Sequence, residues 1–168
     1  MRFFSRGPKG IVERAAQLRR AGDFTGAIDV LADALTADPE DAAANAEMAR
    51  ALRLIGDPAG AEEHIRVALK EVLDYQLVVE LAGVVAEQNR IKEAQGLIDA
   101  ALGMAEGNPR LDPGEALLVR AAIEAGRGKK KEALKALDQI VPKRASGQVK
   151  EYAARLRADL EGQQEAAR

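Results

Sequence analysis

There is no cysteine in this chain of 168 residues and only one histidine. Disulfide frameworks, thiolate zinc sites, iron–sulfur clusters and cysteine nucleophiles are thereby excluded together. Serine and threonine occur twice each, so the hydroxyl and imidazole groups on which most hydrolases and acyl transferases run are nearly missing. The chain is therefore read as not an enzyme and as having no cofactor. Tryptophan is absent and aromatics are 3% of residues, so the core is not built on large rings. Neither sign of charge prevails, with 25 Lys and Arg against 27 Asp and Glu for a net charge of −2. Nucleic-acid binding needs an excess of cations to release counterions from phosphate, and it is disfavoured here. No apolar run approaches the roughly 20 residues that cross a bilayer, and residues 1–10 contain no apolar stretch of secretory length. The cytoplasm is the expected location, and the wealth of alanine and arginine suits a bacterial source.

What is abundant is alanine, at 34 residues. Alanine leads the helix propensities, and Leu, Glu, Lys, Arg and Gln, which supply much of the rest, follow closely. An all-α protein is expected, as a single domain spanning residues 1–168. Small side chains imply closely spaced helices held by many thin contacts.

The chain also repeats itself. Gly22-Asp23-Phe24 recurs as Gly56-Asp57-Pro58, Asn89-Arg90-Ile91 and Gly128-Lys129-Lys130. Each is a residue tolerant of left-handed backbone followed by a polar one, as tight turns between antiparallel helices require. Ala27, Ala61, Ala94 and Ala133 follow at spacings of 34, 33 and 39 residues, and Leu31, Ile65, Ile98 and Leu137 keep the same intervals. Ala15, Ala49, Ala82 and Ala121 share the register before each turn.

These residues resemble the tetratricopeptide repeat family, whose unit of about 34 residues is a helix, a tight turn and a second helix. Repeat one carries Ala15, Leu18, Gly22, Ala27, Leu31, Ala34 and the closing Pro39; repeat two has Leu73 where that proline is expected. Repeat four departs most, with a longer approach through Gly107-Asn108-Pro109 and Asp112-Pro113-Gly114, Glu124 at a bulky apolar slot and Ile140 at a small one. The resemblance implies an α-solenoid with repeats at about 8–41, 42–74, 75–108 and 114–142 and a capping helix at about 146–161, nine helices in all. The cap is expected to bury Val149, Tyr152, Leu156 and Leu160 on one face.

The family also implies a concave face lined by the first helix of each repeat. Repeat one places Lys9, Val12, Glu13, Ala16, Arg19 and Arg20 there; repeat two Ala46, Glu47, Arg50, Arg53 and Leu54; repeat three Val79, Glu80, Gly83, Ala86 and Glu87. The expected function is a non-catalytic adaptor that takes a partner peptide or helix in this groove, on Val12, Ala16, Ala46, Val79 and Gly83, with Glu87 at the edge. Two readings of Arg19, Arg20, Arg50 and Arg53 stand side by side: a cationic end that selects an acidic flank on the partner, or pairing with Glu13 and Glu47. The carboxylate clamp by which some relatives hold chaperone tails is not matched, since its positions carry Val12, Ala16, Glu47, Gln76 and Glu80. The alternative function is self-assembly into a homo-oligomeric scaffold.

Three further features have plain readings. His64 has no second histidine with which to hold a metal and is read as a surface or packing residue. Gly126-Arg127-Gly128 lies between helices and is read as a turn rather than a phosphate loop. Lys129, Lys130, Lys131, Lys135, Lys143 and Arg144 form a basic cluster, read as a solvated face before a site for phosphate or lipid. Phe3 and Phe4, flanked by Arg2, Arg6 and Lys9, are the one place from which the chain is expected to touch a membrane, against a locally packed or frayed terminus.

Overall fold

The computed structural model describes residues 8–165, with side chains over 10–162. The segment holding Phe3 and Phe4 lies outside the described residues. Among the described residues there are nine α-helices and no strand: α1 (Pro8–Arg20), α2 (Phe24–Ala37), α3 (Ala42–Leu54), α4 (Pro58–Glu71), α5 (Tyr75–Glu87), α6 (Ile91–Gly107), α7 (Gly114–Gly126), α8 (Lys130–Asp138) and α9 (Gly147–Glu165). The chain forms two compact units, one ending at Gln88 and the other beginning at Asn89.

The turns close as their residues require. Gly22, Gly56, Asn89 and Gly128 all have positive φ, from 61° to 86°. At the three glycines the helix ends in the same pair of bonds. Asp23 N–H reaches Leu18 C=O and Gly22 N–H reaches Arg19 C=O; Asp57 and Gly56 repeat this on Leu52 and Arg53, and Lys129 and Gly128 on Glu124 and Ala125. This is the Schellman ending, which satisfies carbonyls that the helix itself leaves free. Gly128 thus ends α7 in a turn, as the sequence predicts for Gly126-Arg127-Gly128.

What starts the next helix differs between the units. In the first, the side chains of Asp23, Asp41, Asp57 and Asp74 accept from the N–H groups of Gly26, Ala44, Gly60 and Leu77 at 2.9–3.0 Å. Each occupies one orphan donor at a helix start. As the caps stand, a Cβ on Gly26 or Gly60 would lie 2.3 or 2.5 Å from the capping carboxylate, so a larger residue there requires the aspartate to shift, as it does at Ala44 and Leu77. In the second unit α6, α7 and α8 begin at Arg90, Pro113 and Lys129, none of which caps through its side chain.

The core follows the repeated slots. Ala27, Ala61, Ala94 and Ala133 are fully enclosed, as are Leu31, Ile65 and Ile98. In the first unit Ala15, Ala27, Leu31, Ala44, Met48 and Ala51 form one cluster, flanked by Val12, Leu18 and Leu52. In the second, Leu117, Ala121, Ala133, Leu137, Ile140, Ala145, Val149 and Leu160 form another. Alanine at the crossings lets the backbones approach, and the aliphatics interlock beside them.

The irregularities of repeat four have local causes. The second helix of repeat three runs for 17 residues where α2 and α4 have 14, which absorbs part of the longer spacing. Arg144 then holds the connection by donating to the carbonyl of Leu111 at 2.6 Å. Glu124 is buried at its apolar slot and accepts from Gln95 at 2.7 Å and from Arg127 at 2.9 and 3.0 Å. Ile140 needs no small slot, because α8 ends at Asp138 and Ile140 folds back into the core. The capping helix begins with Val149 N–H on Ser146 Oγ and continues to Glu165, four residues beyond its expected end.

Candidate partner-binding face

In the first unit α1, α3 and α5 carry the residues singled out from the sequence, and ion pairs show that they face the same way. Arg19 Nε of α1 donates to Glu47 Oε1 of α3 at 2.5 Å. Glu47 Oε2 accepts from Arg50 Nη1 one turn on at 3.3 Å. Arg50 crosses to Glu80 of α5 through Nε at 3.1 and 3.2 Å and through Nη2 at 3.0 Å. Arg53 does the same with Glu87, through Nε at 2.9 Å and Nη2 at 2.6 Å. Arg20 turns back to Glu13 of its own helix at 3.2 Å.

Of the two readings of the arginines, the structure therefore displays pairing, and the pairing runs between repeats. Glu47 joins α1 to α3, while Glu80 and Glu87 join α3 to α5. Four arginines meet four glutamates, so the charges of these eight side chains cancel in an alternating ladder. Its rungs differ in depth. The side chain of Glu47 is 4% exposed, whereas Arg53 and Glu87 are 45% and 43% exposed. The shallow pair is screened by solvent and contributes little to stability. Burial on its own would weaken the proton affinity of Arg50, but Glu80 and then Glu47 outweigh it and hold the guanidinium above its ordinary value.

The apolar positions are less open than a groove lining needs. Ala16, Ala46 and Val79 are buried; Val12 and Gly83 are half-buried. Arg53 lies over Gly83, its Nη2 3.5 Å from where a Cβ would stand. The free surface of this stretch is thus Val12, Gly83, Ala86 and the arginine stems.

Behind this face lies a polar knot that the sequence did not disclose. Asn45 is 1% exposed and donates through Nδ2 to the carbonyls of Pro39 at 2.9 Å and Asp41 at 3.0 Å. Its Oδ1 lies 2.7 Å from Nδ1 of His64, so the imidazole carries its proton on Nδ1. Burial lowers the proton affinity of His64, against the opposing pull of Glu63 and Asp57. His64 is accordingly a packing residue that links α4 to the start of α3. A second buried acid, Glu62, is bonded by Arg66 at 2.8 Å and by Gln88 at 2.7 Å.

The basic cluster divides into separate tasks. Lys130 Nζ donates to the carbonyl of Leu160, Lys129 stands 3.9 Å from Glu124, and Arg144 holds the Leu111 loop. Lys131, Lys135 and Lys143 are exposed.

The second unit has an open apolar groove of about 350 Å³ between α7 and α9, lined by Leu118, Val119 and Ala122 on one side and Tyr152, Arg155, Leu156 and Asp159 on the other. Tyr152, expected in the core, is 49% exposed on this groove, while Val149 and Leu160 are buried. The apolar stripe of α9 thus spans two surroundings, and the ring falls on the outer one.

Comparison with known proteins agrees with this architecture. Two models described as tetratricopeptide repeat match the chain, over residues 18–77 and 80–148. The chain belongs to the tetratricopeptide repeat family, and its fold is an α-solenoid of helix–turn–helix repeats. Among solved structures it is similar to PilF of Pseudomonas aeruginosa, at 19% identity and a TM-score of 0.73, covering 95% of this chain and 69% of that one. It is similar to a thermophilic TPR protein of Thermus thermophilus, at 20% identity and a TM-score of 0.68, covering 92% and 86%. It is also similar to YrrB, described as a TPR protein with an unusual peptide-binding site, at 18% identity and a TM-score of 0.62, covering 92% and 76%. Comparison with curated protein sequences finds no match. No helix among the described residues is long and apolar enough to cross a membrane.

Proposed function

We propose that the chain is a non-catalytic scaffold whose first-helix face in the first unit receives a peptide or helix of a partner protein. The observation that carries this reading is the alignment of α1, α3 and α5 by the Arg19–Glu47–Arg50–Glu80 ladder, which holds Val12, Gly83 and Ala86 in a fixed frame. A frame ordered before binding spares the partner the entropy of arranging it. An acidic flank on the partner fits best at Arg53, because the Arg53–Glu87 pair is shallow and a competing carboxylate can replace Glu87 there. Arg50 is held by two glutamates and is assigned to the frame instead. Cytoplasmic action in a bacterial cell belongs to the same reading.

The test is an affinity capture from native extract with the whole chain and with an Arg53→Gln, Gly83→Gln variant. Arg53 is exposed and Gly83 half-buried, and neither belongs to the deep rungs. Partner binding should fall about tenfold or more, with the melting temperature nearly unchanged. A partner retained equally by both proteins would move the site elsewhere.

Self-assembly is the second reading, and exposed aliphatics favour it. Leu54, Ile55, Val72 and Leu73 are 44–75% exposed at the ends of α3 and α4. Light scattering across a concentration series decides, since a constant monomer mass leaves no room for assembly.

A further inference from the structure

Charge is spread unevenly along this chain although its total nearly cancels. Residues 21–49 hold seven acids and no lysine or arginine, whereas residues 127–150 hold eight bases and two acids. Part of each excess lies on one exposed helix face. On α2, Asp29 and Asp33 stand exposed one turn apart beside Ala32 and Thr36, and Asp38 and Glu40 follow just past the helix end. On α8, Lys131 and Lys135 stand exposed at the same spacing, with Lys129 before them and Lys143 beyond. Glu132 is an exposed acid among these lysines, and Asp138 is taken by Arg157 at 2.7 Å. Among the described residues, no ion pair engages Asp29, Asp33, Glu40, Lys131, Lys135 or Lys143.

Both helix ends also carry the sign that their own dipoles disfavour. The C-terminus of α2 is its negative end, yet it has no base in its last turn and two acids follow it. The first turn of α8 is its positive end, yet it holds Lys130 and Lys131 against Glu132 alone. We infer that the α2 face of one molecule docks on the α8 face of a second copy of this chain, with the two helices antiparallel. The shared spacing then sets Asp33 against Lys131 and Asp29 against Lys135, the two pairs lying about 6 Å apart along the axis. The negative end of α2 meets the positive end of α8, and the acids that follow α2 fall beside Lys129. Ala32 and Thr36 are small enough to let the helices approach. A separate acidic or basic partner would use one face and leave the other idle, whereas a second copy satisfies both. The inference rests on the self-assembly reading and deepens it, on charged faces rather than on the exposed aliphatics at the ends of α3 and α4. Because the two faces differ, the contact is head to tail, and its strength lies in summed charge, so salt governs it.

The experiment follows the mass of the whole chain by light scattering across a concentration series. One series is run at about 0.01 M salt, where charges act over about 30 Å, and one at about 1 M, where they act over about 3 Å. Two charge-reversed proteins are measured beside it: Asp29→Lys with Asp33→Lys, and Lys131→Glu with Lys135→Glu. All four positions are exposed, and circular dichroism melts verify that each variant folds. The wild type should gain mass with concentration at low salt and return to monomer at high salt. Each reversed protein alone should associate at least about tenfold more weakly, because its two faces then share one sign. An equimolar mixture of the two should assemble again, since each supplies the face that the other needs. A mixture that stays monomeric, or a reversal on either helix that leaves assembly intact, overturns the inference. Assembly that persists at high salt and in both variants overturns it while keeping the self-assembly reading, which then passes to the exposed aliphatics. A monomer at every concentration and salt overturns both and leaves the scaffold reading untouched.

Discussion

Asn45 shows how one polar side chain organises what alanines cannot. Its amide nitrogen ties the carbonyls of Pro39 and Asp41, and its oxygen takes the imidazole of His64. Asn45→Leu keeps the volume and strips the donors from two backbone carbonyls, and it should cost about 2 kcal/mol in urea unfolding. The histidine has its own pH signature. Its proton affinity is lower in the fold than the ordinary value of 6.5, so below that value the unfolded chain binds the proton more readily than the native one. Stability should therefore decline as pH falls from about 6.5 towards the lowered native value, and be indifferent to His64 above it. A His64→Gln variant followed by urea unfolding between pH 7.5 and 5.5 should show a shallower decline; an identical pH profile would refute the assignment. Neither residue announced itself in the sequence. Asn45 sits in the run Ala42-Ala43-Ala44-Asn45-Ala46, where its only signal is being polar among small apolar neighbours.

The helices were the legible part, because a 34-residue period, turn glycines and recurring alanines constrain one another. The repeated Schellman ending makes this testable. Gly56→Ala should destabilise by about 1 kcal/mol, because a Cβ is disfavoured at φ 82°. Gly96→Ala, in the open interior of α6 with nothing near the added carbon, should stabilise by about 0.5–1 kcal/mol. Urea midpoints that move in the same direction for both would contradict this account. Asp57→Ala should cost about 1 kcal/mol through loss of its cap on Gly60. The charge ladder was the illegible part. Arg53 and Glu87 stand 34 positions apart, one repeat on, so a search for opposite charges at the repeat interval finds that rung. Arg19 with Glu47 and Arg50 with Glu80 stand 28 and 30 apart, and their meeting depends on rotamers and helix stagger that a linear pattern does not encode. The α7–α9 groove was missed for another reason: the amphipathic stripe of the cap predicts burial for Tyr152, whereas only Val149 and Leu160 of that stripe join the core and Tyr152 lies on the open groove beside Leu118, Val119 and Ala122.

On the scale of the whole chain, the caps divide the molecule. Helices α2 to α5 each start on an aspartate, whereas α6 and α8 start without a side-chain acceptor, α7 has one only through Asp112 on Gly114, and α8 spans only nine residues with Lys130 and Lys131 at its positive end. Amide hydrogen exchange should accordingly be slower over residues 42–87 than over 91–138, and equal protection would remove the caps as its cause. The groove that includes Leu118 and Tyr152 lies in the half expected to exchange faster. One half of the chain thus fixes its helix starts with its own aspartates, while most of those in the other leave their first amides to whatever surrounds them.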